Sequence, residues 1–413
     1  MRLLEGDKNS KNMLIHGDNL ATLAALKTGR LAKGAEVIYI DPPYNIGGDF
    51  GYKDTWKGRS EKMGSWTGSH GAFLDFMAPR LTAGKKLLTD DGVMFISICD
   101  EEYHRLKILM DQIWGEHNSL GTVVWDKGQG VAGRHLTVTH EYVLVYAKNK
   151  KKAPPLKSEK RGAHLIVKKA RQLKRTGLPY RYAQKIFKSW IKQCKKQGII
   201  GPGEVLYNKL HPKTFRPFRR GNGGAPPRGN PEARSHKKLK HPVTKKFCKV
   251  PPRGWLWSEK TLDKMSYSKS YTVGDGFVLA GEMCYGMDEN SLPQSVVYLE
   301  NYMKQVLPTV INATSGGQRD FPPGVTFSTP KPVDFLKQII NSYRRNNVTV
   351  LDFFAGSGST AHAVHSLNQD DGGNRSWVMV EKMGETFHNV LLRRLRYVAG
   401  PGSFGVYELS TEA

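Results

Sequence analysis

Two blocks of alternating strand and helix signals, held apart by residues 151–310 where that alternation stops, constrain the fold of this chain most. In the first block, "VIYI" (Val37–Ile40) reads as a short buried strand, and "FLDFMAPRLTAGKKLL" as a helix kinked or restarted at Pro79. "GVMFISI" is a strand, and "EEYHRLKILMDQIWG" an amphipathic helix with Tyr103, Leu106, Leu109, Met110 and Ile113 on one face and Gly115 at its end. "GTVVWDK" and "EYVLVYAK" are two further strands. The alternation resumes near Thr309 with the helix "PKPVDFLKQIINSY", the strand "VTVLDFF", the helix "STAHAVHSLN", the strand "SWVMVE" and the helix "TFHNVLLRRLRYV". Such alternation predicts an α/β architecture, a mostly parallel sheet with helices on both faces. Neither block has strands enough to fold alone. Residues 1–150 and 311–413 are therefore expected to share one doubly wound sheet, with 151–310 inserted between them.

The insertion is strongly basic. It opens on "KNKKKAPPLKSEKRGAHLIVKKARQLKRTG". In "YAQKIFKSWIKQCKKQG", Phe187, Trp190, Ile191 and Cys194 form a helical stripe, and Lys185, Lys188, Lys192 and Lys196 lie mostly off it. "RRGNGGAPPRGNPEARSHKK" reads as a loop, and no internal repeat stands out. Over the whole chain 63 Lys and Arg stand against 37 Asp and Glu, a net charge of +26. Self-repulsion of that size disfavours the compact state, so it points to a polyanionic partner, with nucleic acid ahead of a membrane surface. The four cysteines (Cys99, Cys194, Cys248, Cys284) form no C-x-x-C pair. Free thiols in a reducing compartment are expected, rather than a zinc site or a disulfide framework. The first residues, "MRLLEGDKNSKNMLIHGDN", lack the apolar core of a signal peptide, and no run approaches the ~18 apolar residues of a membrane span. A cytoplasmic location is expected.

Two stretches carry chemistry. "VLDFFAGSGSTAHAV" is a strand, a glycine turn and a helix, in which Gly356 and Gly358 permit a tight turn and close approach of a ligand to a helix N-terminus. Asp352 and two phenylalanines crowd that turn, and Glu381 closes the next strand, where a carboxylate suits the two hydroxyls of a ribose. The other stretch is "VIYIDPPYNIGGDFGY". Asp41, Pro42, Pro43 and Tyr44 stand at the carboxyl end of a strand, where ligands of open α/β sheets bind. Each proline lacks an N–H and fixes its own φ, which leaves carbonyls without a local donor. The Asp41 carboxylate and the Pro42 carbonyl can then accept both hydrogens of one NH2 group while Tyr44 offers a flat face. That is a receptor for an aromatic amine.

Asp-Pro-Pro-Tyr followed downstream by Phe-Ala-Gly-Ser-Gly resembles the amino-methyltransferases of DNA, in the motif order of their beta class. "LIHGDNL", "HEYVLVYAK" and "FSTPKPVDFLKQII" resemble the modification subunits of type III restriction systems and their solitary relatives. The resemblance covers roughly Asn12–Lys148 and Thr326–Arg396, and the insertion matches mainly at "PPRGWLWSEKT".

The resemblance implies a Rossmann-like, circularly permuted fold, S-adenosylmethionine as cofactor, and site-specific methylation of duplex DNA at the N6 amine of a flipped-out adenine. It also implies residue roles. Asp41 and the Pro42 carbonyl would bind the amine, with Pro43 completing the turn, and Tyr44 would stack on the base. Phe354, Gly356 and Gly358 would line the methionine end of the cofactor, with Asp352 beside them. Glu381 would hold the ribose, Asp18 with Asn19 the adenine of the cofactor, and Thr329 and Lys331 its methionine part. Asn45 and His140 would help enclose the target base. Lys185, Lys188, Lys192, Arg216, Arg219 and Arg220 would contact DNA. A homodimer and a separate restriction subunit are the implied partners. The sulfonium methyl is already activated, so no metal is expected to be required. Cytosine-N4 chemistry uses the same geometry and stays open, the aspartate favouring adenine by family habit. A non-catalytic DNA-binding homologue and an RNA or protein methyltransferase also stay open.

Overall fold

The computed structural model describes residues 1–44, 69–131, 135–226, 230–313, 320–343 and 345–409, so Asn45 lies outside the described residues. The chain forms two compact units, Met1–Ser158 with Val306–Ala413, and Glu159–Gln305. Residues 151–158 and 306–310 go with the first unit. Backbone bonds explain this: Lys157 N–H donates to the Ser342 carbonyl, Leu307 N–H to that of Leu156, and Val124 N–H to that of Thr309.

The first unit is built on one ten-stranded sheet. Its central strands, Met13–His16, Ser376–Glu381, Thr349–Asp352, Ala35–Ile40 and Leu88–Ile98, are adjacent in that order and parallel. Val138–Ala147 and Ser119–Val131 continue the sheet antiparallel, and Val310–Asn312 ends that edge parallel to Ser119–Val131. At the other edge Gly405–Glu408 runs parallel to Met13–His16, and Arg2–Gly6 pairs with it antiparallel.

Strand periodicity distributes these residues over two cores. Val37, Tyr39, Val93, Phe95, Val350 and Trp377 point to one face. Ile38, Ile40, Met94, Ile96, Leu351 and Val378 point to the other. The first face is covered by helices of the second sequence block, Val333–Asn341, Ser359–Asp371 and Leu392–Ala399. The other is covered by Asn19–Thr28, Ser69–Leu87 and Asp100–Trp114 from the first block. Each block thus needs the other block's strands to bury its own helices. Ser69–Leu87 runs on through Pro79 as one helix, without a restart there. Burial of Phe73, Leu74, Met77 and Leu81 against the sheet holds both sides of the proline.

The second unit packs the amphipathic helices Ala163–Arg175 and Tyr180–Lys196 through Ile166, Ala170, Phe187, Ile191 and Cys194. It also carries a six-stranded antiparallel sheet whose strands are two to five residues long. One small device occurs twice within it. In His211-Pro-Lys-Thr-Phe215 and His241-Pro-Val-Thr-Lys245, the histidine Nδ1 accepts the N–H groups of the second and third residues onward. The fifth residue, Phe215 or Lys245, takes a positive φ of 61° or 63°. Two extra ring hydrogen bonds per turn offset a left-handed conformation that costs a non-glycine residue roughly 1–2 kcal/mol.

Candidate active site

Thr349–Asp352 and Ala35–Ile40 are neighbours in the sheet, but the chain leaves them in opposite directions, the first toward Ser376–Glu381 and the second toward Leu88–Ile98. A crevice opens beyond the carboxyl ends of parallel strands at such a switch point. A cavity of about 550 Å³ lies there, lined by Asp41, Pro42, Pro43 and Tyr44 from one sequence block and by Thr329, Lys331, Asp352, Phe354, Gly356 and Glu381 from the other. Its size suits a cofactor or nucleotide base.

One wall is the glycine turn. Gly356 adopts φ +49° and Gly358 φ +79°. A Cβ on Gly356 would meet Phe327 at 3.8 Å, an ordinary contact, so that position is not closed by packing. A Cβ on Gly358 would stand 2.5 Å from Leu391 Cδ1, so that position is closed by packing. The turn is fastened from both sides. Asp352 is almost wholly buried, and it accepts the Phe354 N–H at 2.9 Å and the Thr360 hydroxyl at 2.6 Å. Burial, opposed by those two bonds and assisted by the charges of Asp41 and Glu381, pushes its carboxyl up to about 7. Glu381 accepts the Gly356 N–H at 2.8 Å and the Met383 N–H at 2.9 Å. Beneath the turn the buried Arg394 donates to the Ser357 carbonyl and to the Ser357 and Ser359 hydroxyls, and stacks over Phe321.

The opposite wall carries charge. Tyr44 OH donates to Asp41 Oδ1 at 2.6 Å. Lys331 Nζ lies 2.8 Å from Asp41 Oδ2, 2.8 Å from Tyr44 OH and 3.1 Å from Glu141 Oε2. Glu141 in turn pairs with Lys127 at 3.1 Å. Burial raises the Asp41 carboxyl, and Lys331 only partly offsets it. Burial acts the same way on Glu141, but there Lys331 and Lys127 outweigh it and hold the carboxyl below its ordinary value. Burial alone would lower the Lys331 ammonium; the two carboxylates reverse this and raise it.

Several expected residues stand elsewhere. Asp18 caps the helix Asn19–Thr28, accepting the N–H groups of Leu20 and Ala21, and pairs with Lys382. Asn19 bridges the Phe353 carbonyl and Arg80. Neither is among the residues lining the cavity. His140 is also outside the lining and bonds Tyr142 OH at 2.9 Å; Glu141, one residue on, lines it. Strand alternation explains this, since adjacent side chains point to opposite faces. Thr329 lines the cavity, whereas the Lys331 ammonium sits on Asp41. In the second unit Lys185 and Lys192 are exposed on Tyr180–Lys196. Lys188 pairs with Asp275, and Arg216 pairs with Glu300 and stacks over Tyr298. Arg219 donates to Tyr207 OH, and Arg220 to the Gly276 carbonyl.

Comparison with known proteins shows the family. A family model described as DNA methylase matches residues 35–391. The Mod subunit of the type III restriction-modification enzyme EcoP15I of Escherichia coli is 31% identical over 91% of this chain and 59% of its own length. The Mod subunit of the StyLTI enzyme of Salmonella typhimurium is 30% identical over 95% of this chain and 56% of its own. The type II methyltransferase M.KpnI of Klebsiella pneumoniae is 29% identical over 95% of this chain and 85% of its own. The chain thus spans little more than half the length of the two Mod subunits.

Proposed function

This chain belongs to the DNA methylase family, and from that premise we propose that it transfers a methyl group from S-adenosylmethionine to the N6 amine of an adenine flipped out of duplex DNA. The observation that carries the reading is the meeting of Asp41–Tyr44 with the Gly356 turn and Glu381 in one cavity. The residues fit the cofactor: Gly356 is not closed by packing, Phe327 and Phe354 offer apolar surface, and Glu381 ends the adjacent strand where ribose hydroxyls bind. When bound, S-adenosylmethionine supplies a sulfonium methyl already activated for transfer.

An exocyclic amine is a poor nucleophile because its lone pair is delocalised into the ring. The Asp41 carboxylate and the Pro42 carbonyl accept its two hydrogens and draw the nitrogen toward tetrahedral geometry. They also stabilise the positive charge that develops there, an effect expressed mainly in the transition state. The amine's pKa is too high for Asp41 to deprotonate it first. The proton leaves during or after transfer, when the nitrogen is cationic. Flipping the base costs a few kcal/mol of unstacking, and stacking on Tyr44 returns ~1–3 kcal/mol. The basic unit Glu159–Gln305 supplies phosphate contacts, which orient the duplex without reading its sequence.

We also propose a cytoplasmic protein that dimerises and works beside a separate restriction subunit. No helix among the described residues is long and apolar enough to cross a membrane. Methyl incorporation into duplex DNA followed by nucleoside analysis tests the central reading. N6-methyladenine is expected. N4-methylcytosine alone overturns the choice of base, methylation of RNA in preference to DNA overturns the substrate, and no incorporation overturns catalysis.

A further inference from the structure

Asp41, Tyr44, Glu141 and Lys331 come from three separate stretches of the chain and converge on the amine-binding side of the cavity. The Lys331 ammonium has three hydrogens, and three oxygens surround it: Asp41 Oδ2, Tyr44 OH and Glu141 Oε2. It is 8% exposed and sits at the hydroxyl end of the Tyr44 ring. Tyr44 OH occupies the other Asp41 oxygen. Both oxygens of the carboxylate assigned to the target amine are therefore engaged, one of them by a nitrogen that bears hydrogens. An arriving NH2 that takes the lone pair already in use displaces one donor. The Tyr44 bond joins residues within one turn and sets the ring, so it is the one to keep. Lys331 and Tyr44 OH both reach a second carboxylate, Glu141 Oε2, at 3.1 Å; the ammonium is the one whose charge that carboxylate can hold after it leaves Asp41.

We propose that the Lys331 ammonium is a displaceable stand-in for the target amine, and that Glu141 is the positioning residue that retains it when the amine takes its place on Asp41. The inference rests on the methyl-transfer reading above. Lys331 keeps Asp41 ionised, hence an acceptor, while no base is present. Glu141 keeps the ammonium within the site during transfer, so the buried carboxylate never faces its neighbours uncompensated. Among the described residues, the charged and titratable groups facing Asp41 are Lys331, Glu141, Tyr44, Tyr39 and Asp352, with Lys127 behind Glu141. Only Lys331 among them is a cation in contact with Asp41. Removing it leaves burial and Glu141 acting together to protonate Asp41. Removing the Glu141 charge does the opposite, and it also leaves Lys331 with Asp41 as its sole carboxylate partner.

The pH dependence of kcat/KM on duplex DNA tests this in the full chain. In Lys331→Met the acidic limb should move up by about one pH unit or more. In Glu141→Gln it should move down, with kcat falling more than cofactor affinity. Lys331→Gln, which keeps an NH2 donor without the charge, should follow Lys331→Met and serves if the methionine variant folds poorly. Loss of activity with both limbs unmoved would overturn the proposal, because a packing role shifts neither. If the wild-type chain methylates no nucleic acid, the functional reading fails, and thermal melting still tests the charge exchange. An Asp41 carboxyl raised in the folded Lys331→Met protein gives stability that is lost as pH rises through its folded pKa. Its melting temperature should therefore fall more steeply than that of the wild type between pH 5 and pH 8, and adding Glu141→Gln should recover part of the loss. Parallel curves would overturn the proposal.

Discussion

The two walls of the cavity are made by different means. The glycine turn is fastened by groups from a short span of chain, Asp352, Thr360, Glu381 and Arg394, and its shape resides in backbone dihedrals. The opposite wall is an exchange of charges between side chains up to 290 positions apart in the sequence. A local, backbone-built wall tolerates chemical change outside its turn but not steric change within it. A wall of paired charges behaves conversely, since its groups are exchangeable in shape but not in sign.

The sharpest test separates the walls by function. Asp41→Ala removes one transition-state acceptor and should lower single-turnover methyl transfer by roughly 10²–10³-fold or more, with cofactor affinity by calorimetry nearly unchanged. Equal loss of both would mean that the walls do not divide the work. Next in size is a contrast inside the glycine turn. Gly358→Val meets Leu391 and should destabilise the protein by roughly 1–3 kcal/mol in thermal or denaturant unfolding. Gly356→Val projects into the cavity and should weaken cofactor binding at least about tenfold, with a smaller loss of stability. Equal behaviour of the two would break the assignment of Gly356 as the position that packing leaves unclosed.

Asp352 gives a smaller effect. Its carboxyl is raised to about 7 in the fold, above its ordinary unfolded value, so its contribution to stability is present at low pH and lost as pH rises through 7. Asp352→Asn should flatten the fall in melting temperature between about pH 4 and pH 7; an unchanged slope would place that titration elsewhere. The mildest change lies in the second unit. Reversing the charges of Lys185 and Lys192 should weaken DNA binding and reduce the slope of log affinity against log salt by about 0.9 for each phosphate no longer neutralised. An unchanged slope would mean that DNA engages another basic face.

The same contrast explains what was legible beforehand. Most of the sheet of the first unit was readable because its strands from Val37 onward are aliphatic runs, whereas the central strand Met13–His16 and the helix Asn19–Thr28 were not, being short and weakly patterned. The pairing of the blocks followed from their size. The glycine turn and the Asp-Pro-Pro-Tyr turn were readable because backbone constraints are written in local residue types. Glu141 was not. It lies beside His140 in "HEYVLVYAK", and choosing between them requires knowing which strand face meets the cavity. Attention to period two along Glu141, Val143 and Val145 would have supplied the signal, since Val143 and Val145 share one core. The ammonium of Lys331 gave no cue to its partners, because ion pairing at long separation leaves no spacing pattern. The helix cap at Asp18 was legible as "GDN" only in retrospect, and there the carboxylate serves the helix N-terminus. Arg2–Gly6, wholly exposed, and the very short strands of the second unit carry too little periodicity to announce themselves.

The interleaving of the two blocks also bears on biogenesis. Thr349 donates its N–H to the Glu36 carboxylate across 313 positions of sequence, at the pairing that creates the crevice. On a ribosome adding 5–20 residues per second, the Ala35–Ile40 strand waits roughly 15–60 s before its neighbour emerges. Throughout that interval an aliphatic β edge stands without its partner, the condition that invites intermolecular pairing. Yield in a heterologous host should therefore respond more to translation speed and chaperone supply than to any residue of the cavity.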